Sequence, residues 1–214
     1  MMTVPRLYPV LDLETLRRRG AHPVEAARAI LDGGALILQW RCKEALTRDH
    51  LEQAEQVARI CRDLDVPFVV NDRSDLAMLL AAGLHIGQED LPATAARKLI
   101  GEDAILGLST HNAEQLRKAG SSGARLDYVA LGPLFRTTSK ENPDPVVGCD
   151  QCRVWRRLTT LPLVAIGGIT RVNARDVLDA GADSVAVISD LVPDPYSPLA
   201  LCRRVEEWIE LVNR

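Results

Sequence analysis

One joint recurs along this chain and limits what it can fold into. "LDGGALILQ", "LAAGLHIGQ" and "LDAGADSVAVIS" each leave a helical pattern, pass a glycine and enter a short apolar run. A glycine at a helix C-terminus takes the left-handed turn that other residues resist. Eight short runs read as strands: 7–11, 35–41, 68–70, 84–87, 104–109, 128–132, 163–168 and 184–189. Most are continuously apolar rather than alternating, as parallel strands covered on both faces require. Helical patterns lie between them. The clearest spans 48–64, with Leu51, Ala54, Val57, Ala58, Cys61 and Leu64 on one stripe and Thr47 placed to cap it. Eight βα units with no break in composition predict an α/β fold, a closed (β/α)8 TIM barrel filling residues 1–214 as one domain. A doubly wound open sheet is the structural alternative.

Composition narrows the function. The 214 residues are 47% hydrophobic, enough for one large core, and the net charge of −3 leaves no basic footprint for nucleic acid. No run approaches the ~20 apolar residues that span a bilayer, and "MMTVPRLYPV" lacks the form of a signal peptide. The expectation is a soluble, cytoplasmic protein; its oligomeric state, homo-oligomer included, stays open. Cys149 and Cys152 form a lone C-x-x-C with no second pair and no nearby histidine, so they read as ordinary thiols in a reducing compartment.

Chemistry in such barrels sits where strands end. The second strand ends "LQWRCK": Gln39, Arg41 and Lys43 share one face, Trp40 and Cys42 the other. Arginine and lysine at a mouth suit phosphate oxygens, though charged strand ends are also commonly just solvated. The third strand ends at Asn71 and Asp72, and the fourth at "HIGQED", which brings Asp90 to the next mouth position. Two carboxylates beside a diphosphate point to Mg2+; the competing reading makes each a helix cap. His85 reads as a hydrogen-bonded barrel residue rather than a ligand, since Mg2+ prefers oxygen.

The fifth strand ends "LGLSTH", where Ser109 can donate to an anion and His111 reads as a loop residue more readily than a general base. After the sixth strand comes a long hydroxyl-rich loop, "GPLFRTTSKENPDPVVG", in which Thr137, Ser139 and Lys140 look like a flap closing on phosphate. "AIGGIT" and "AVIS" end the last two strands, and Gly167 and Gly168 let backbone N–H groups approach an anion. Two anion sites result. One is Mg2+-assisted, from Arg41, Lys43, Asp72, Asp90 and Lys140. The other is neutral, from Gly168, Ile188 and Ser189.

"LQWRCK", "VVNDR", "HIGQEDL", "LGLSTH", "VALGPLFRTTSK", "LVAIGGIT" and "SVAVIS" stand in the order and at about the spacing of thiamine phosphate synthases, which this chain resembles from Tyr8 to Ser189. The resemblance implies a transferase of thiamine biosynthesis. It would join 4-amino-5-hydroxymethyl-2-methylpyrimidine diphosphate to 4-methyl-5-(2-phosphoethyl)-thiazole, giving thiamine monophosphate and pyrophosphate. It further implies that Gln39, Arg41, Lys43, Asn71, Ser109 and Lys140 meet the pyrimidine diphosphate. Asp72 and Asp90 would hold Mg2+. Thr137 and Ser139 would meet the thiazole phosphate, with Gly168, Ile188 and Ser189 near phosphate or pyrophosphate oxygens. Arg41, Ser109 and Lys140 would carry the catalysis. Cys42, Leu11 and Arg136 depart from the family pattern, and Ser139 keeps a hydroxyl where threonine is commoner. The alternatives are a thiazole tautomerase, which would lack the Asp72 and Asp90 pair, and a non-catalytic barrel that binds a phosphorylated metabolite.

Overall fold

The computed structural model describes residues 3–137 and 144–214. The described residues form eight parallel strands: β1 Leu7–Asp12, β2 Leu38–Arg41, β3 Phe68–Asn71, β4 Gly83–Ile86, β5 Leu106–Thr110, β6 Tyr128–Leu131, β7 Leu163–Ile166 and β8 Ser184–Val187. Each pairs with its neighbour in sequence order, and β1 closes on β8 in register Leu7 to Val185, so the sheet is a closed barrel and the open-sheet alternative falls. The helices lie between and around them: α1 Leu13–Arg18, α2 Pro23–Asp32, α3 Arg48–Asp63, α4 Ser74–Leu80, α5 Ala93–Ile100, α6 Ala113–Gly120, α7 Gly148–Trp155, α8 Ala174–Asp179 and α9 Pro198–Asn213.

The strands are buried on both faces, which explains their unbroken apolar character. One set of side chains, among them Leu11, Leu38, Trp40, Val70, Leu84 and Leu106, packs outward against the helices. Their alternates, Tyr8, Val10, Ile37, Val69, Tyr128, Ala130, Val164 and Ala186, fill the barrel. This two-sided burial follows from the strand period of two. Gly107 has a specific reason: a Cβ there would lie 2.1 Å from the Tyr128 ring, so only glycine leaves room for it.

The helix joints behave as expected in two of the three repeats. Gly34 and Gly181 take φ of +91° and +100°. In the middle repeat Ala81 takes the left-handed turn at φ +50°, and Gly83 instead opens β4, where a Cβ would meet Ile105 at 2.9 Å. α3 starts at its expected cap, with Thr47 accepting from His50 N–H at 3.2 Å. Its stripe ends sooner than expected, because Leu64 lies just past the helix and is 46% exposed, while Ile60 is buried.

Candidate active site at the barrel mouth

The ends of β1 to β5 carry most of the polar groups. Gln39 is buried inside the barrel, its Nε2 donating to the Tyr8 hydroxyl at 3.2 Å. Arg41 is paired in register with Asp12 at the end of β1, and the two form an ion pair. Asp12 is 4% exposed and also accepts from Thr15 N–H at 3.0 Å and from the Thr15 hydroxyl at 2.7 Å, so it caps α1 while fixing Arg41. Lys43, two residues further on, pairs with Asp72 across the mouth.

Asp72 sits in the left-handed region at φ +63°, uncommon for a residue other than glycine and tolerated best by aspartate and asparagine. Its N–H continues the ladder to His85 O at 2.8 Å. The backbone therefore turns just where the strand stops. Neither aspartate serves as a helix cap: α4 begins after Arg73 and α5 after Pro92. Asp90 instead accepts from Gly87 N–H at 2.7 Å within its own loop. Its carboxyl is pushed up from the ordinary carboxylate range, first by burial and next by the facing Asp72, against the lowering effect of the Gly87 N–H. Two carboxylates facing one another at one mouth are a donor set for a hard cation. Mg2+ fits it, with water and ligand oxygens completing the shell.

Asn71 is 8% exposed, and its Nδ2 has no hydrogen-bond partner. A buried donor without an acceptor costs free energy, so a ligand atom there is favoured. Ser109 at the end of β5 bonds His85 Nε2 at 2.9 Å, and its carbonyl accepts from Gln88. The barrel interior thus carries Gln39, Tyr8, Tyr128, His85 and Ser109 in one hydrogen-bonded chain. Burial lowers the His85 pKa to about 4, outweighing the nearby Asp72 charge. His111 bonds the Gly132 carbonyl through Nδ1 at 2.7 Å, which tethers two loops, and the same nitrogen lies 3.6 Å from the Asp144 carboxylate.

On the other side of the mouth, Gly167 and Gly168 follow β7 with φ of +96° and +66°. The loop after β6 packs tightly on them: a Cβ at Gly167 would lie 2.6 Å from Pro133, and one at Gly168 2.5 Å from the Arg136 carbonyl. Phe135 N–H bonds Gly167 O at 3.0 Å. The glycine pair is thus needed to seat the loop after β6. Ile188 and Ser189 follow β8 directly, and Thr137 is half-buried. Ser139 and Lys140 lie outside the described residues. Asp12, Tyr8, Tyr128 and Gln88 were missed as partners from the sequence. The apolar runs hide the tyrosines, and Asp12 becomes visible only once β1 is placed beside β2.

Cys149 and Cys152 lie one turn apart on α7, and burial pushes both thiols up, Cys152 to about 11. Neither is held as a reactive thiolate.

The closed parallel barrel with polar strand ends at one mouth defines the class, a (β/α)8-barrel enzyme. The model of the thiamine monophosphate synthase family matches residues 7–191. A thiamine-phosphate synthase of Koribacter versatilis is 44% identical over 218 residues, covering 99% of this chain and 98% of its own. One of Chlorobium phaeovibrioides is 46% identical over 193 residues, covering 88% and 91%. A solved thiamine phosphate pyrophosphorylase from Pyrococcus furiosus superposes with a TM-score of 0.81 at 34% identity, covering 97% and 95%. A structure described as native KDPGal shares the fold alone, at 14% identity and a TM-score of 0.73. The chain belongs to the thiamine monophosphate synthase family and is a transferase. No helix among the described residues is long and apolar enough to cross a membrane.

Proposed function

We propose that this chain joins 4-amino-5-hydroxymethyl-2-methylpyrimidine diphosphate to 4-methyl-5-(2-phosphoethyl)-thiazole in a Mg2+-dependent dissociative substitution, yielding thiamine monophosphate and pyrophosphate. The observation that carries the reading is the mouth shared by Asp72, Asp90, Arg41 and Lys43 in a chain of this family.

In the reaction the bond from the pyrimidine methylene carbon to the diphosphate oxygen breaks, and its electron pair leaves with pyrophosphate. The thiazole ring nitrogen then gives its lone pair to the methylene carbon. Asp72 and Asp90 would hold Mg2+, which when bound would supply charge neutralisation for a leaving diphosphate. Arg41, oriented by Asp12, offers a planar fork to phosphate oxygens, and Lys43 is a mobile cation that exchanges its present partner for the ligand. Asn71 Nδ2 supplies a buried donor for the ligand, and Gln39 and Ser109 orient the ring from the barrel interior. Lys140 and the hydroxyls of Thr137 and Ser139 complete the site from the flap, with Gly168, Ile188 and Ser189 at the second anion. Positioning and fixed charge are the main contributions, so no protein nucleophile is required.

The paired carboxylates favour this reading over a thiazole tautomerase, which has no diphosphate to neutralise. A non-catalytic barrel would have no use for Arg41 and Lys43 beside them. The test is an assay for thiamine monophosphate with both substrates and Mg2+, run beside a tautomerase assay on the thiazole phosphate alone. Product only in the first supports the reading, and turnover only in the second overturns it.

A further inference from the structure

The hydrogen-bonded chain inside the barrel has a direction, and that direction decides what Ser109 can do. Gln39 Nε2 is only a donor, and it points at the Tyr8 hydroxyl at 3.2 Å. The Tyr8 hydroxyl lies 2.8 Å from that of Tyr128. Tyr128 reaches His85 Nδ1 at 2.9 Å, and His85 Nε2 reaches Ser109 Oγ at 2.9 Å. Tyr8 and Tyr128 are 1% and 0% exposed, so each proton on them needs a protein acceptor.

Run outward, the chain satisfies every link. Gln39 donates to Tyr8, Tyr8 to Tyr128, Tyr128 to Nδ1, and Nε2–H to Ser109. The Ser109 proton is left over, on a half-buried residue facing the mouth. Run inward with Gln39 still donating, Tyr8 would receive two protons and bury its own without an acceptor, which buried hydroxyls rarely do. The His85 ring also stacks on Tyr128, with centroids 5.5 Å apart and planes 13° from parallel, so the imidazole cannot swing to escape the link.

We propose that Gln39, Tyr8, Tyr128 and His85 form a one-way relay that fixes Ser109 as a hydrogen-bond donor, so that this position selects ligands presenting an acceptor atom there, such as an unprotonated ring nitrogen. Tyr8, Tyr128 and His85 are then positioning residues that act through Ser109. The proposal deepens the function given above and rests on it for the identity of the ligand ring.

Nitrogen NMR of protein labelled with 15N-histidine, with His85→Gln to assign the signals, reads the relay without any substrate. The expected result at neutral pH is a proton on Nε2 and none on Nδ1. A proton on Nδ1 would reverse the chain, turn the Gln39 amide over and overturn the proposal. Kinetics give the second reading. Tyr128→Phe and Ser109→Ala are each expected to lower kcat about tenfold, the loss of one oriented neutral hydrogen bond. The double variant should be no slower than the slower single variant, with the KM for the thiazole phosphate unchanged throughout. Losses that multiply would show that Tyr128 does not act through Ser109. If Tyr128→Phe fails to fold, Tyr8→Phe breaks the same relay, and the wild-type tautomer still decides. A wild-type protein with the Nε2–H tautomer but no thiamine monophosphate synthesis would sink the proposed function and leave the relay standing.

Discussion

Asp72 and Asp90 gain from one another only when a cation lies between them. Asp72 is partly buried and Asp90 lies at the exposed rim, where desolvation together with the facing carboxylate makes it harder for Asp90 to stay charged. Replacing either with alanine is expected to remove Mg2+-dependent turnover while the protein still folds and unfolds cooperatively, with some loss of stability at Asp72, whose left-handed φ of +63° alanine tolerates poorly. Activity that survives in EDTA, or in the double variant, would refute the metal assignment. His85 makes a separate prediction. Its folded pKa of about 4 lies below the ~6.5 of a free histidine, so between those values the unfolded chain binds more protons. His85 therefore favours the fold fully above about pH 6.5, and that contribution fades as pH falls toward 4. Denaturant midpoints measured with EDTA present should decline over this window, and His85→Gln should flatten the decline. Most mouth residues were legible one by one, because a polar residue ending an apolar run stands out. Asp12 was not, since its role depends on β1 lying beside β2, nor were Tyr8 and Tyr128, which look apolar in context.

Among the elements, the N-terminal end of the barrel carries a device the sequence did not reveal. Asp127 accepts from Leu106 N–H at 2.8 Å and Asp183 from Leu163 N–H at 2.8 Å, so an aspartate just before β6 and another just before β8 each hold the first residue of the preceding strand. Arg97 backs the first at 3.0 Å and Arg156 the second at 3.1 Å. Arg97 is 4% exposed and also donates to the carbonyls of Arg125, Gly101 and Ala104, tying α5 to two loops. Arg97→Ala leaves a buried carboxylate and several carbonyls unpaired. The expected loss is about 3–5 kcal/mol in urea unfolding, whereas a loss below about 1 kcal/mol would mean the clamp is solvated. A charged residue inside a helix pattern reads as surface, which is why Arg97 was invisible beforehand. The loop after β6 was expected from its composition and length to close on phosphate, and its Ser139 and Lys140 lie outside the described residues. Lys140→Ala is expected to lower kcat by ~10²–10³ with little change in the thiazole KM, as for loss of a charge that meets the leaving group. An unchanged kcat would remove Lys140 from that role.

For the molecule as a whole, the barrel was readable because its strands are buried on both faces and two of the three repeated helix-to-strand joints turn on a glycine, Gly34 and Gly181. Register was not readable, and register is what turns separate strand ends into one site: Val10 with Gln39, Asn71 with His85, Ser109 with Ala130. Once the ring is closed, Arg41 and Lys43 from one strand end meet Asp72 and Asp90 from two others at a common mouth. The central claim is that this mouth joins a pyrimidine diphosphate to a thiazole phosphate. The most direct measurement supplies both purified substrates with Mg2+ and follows thiamine monophosphate and pyrophosphate together. The account predicts equal amounts of the two products, dependent on both substrates and abolished by EDTA. Pyrophosphate release at the same rate without the thiazole, or no thiamine monophosphate with all components present, would contradict it.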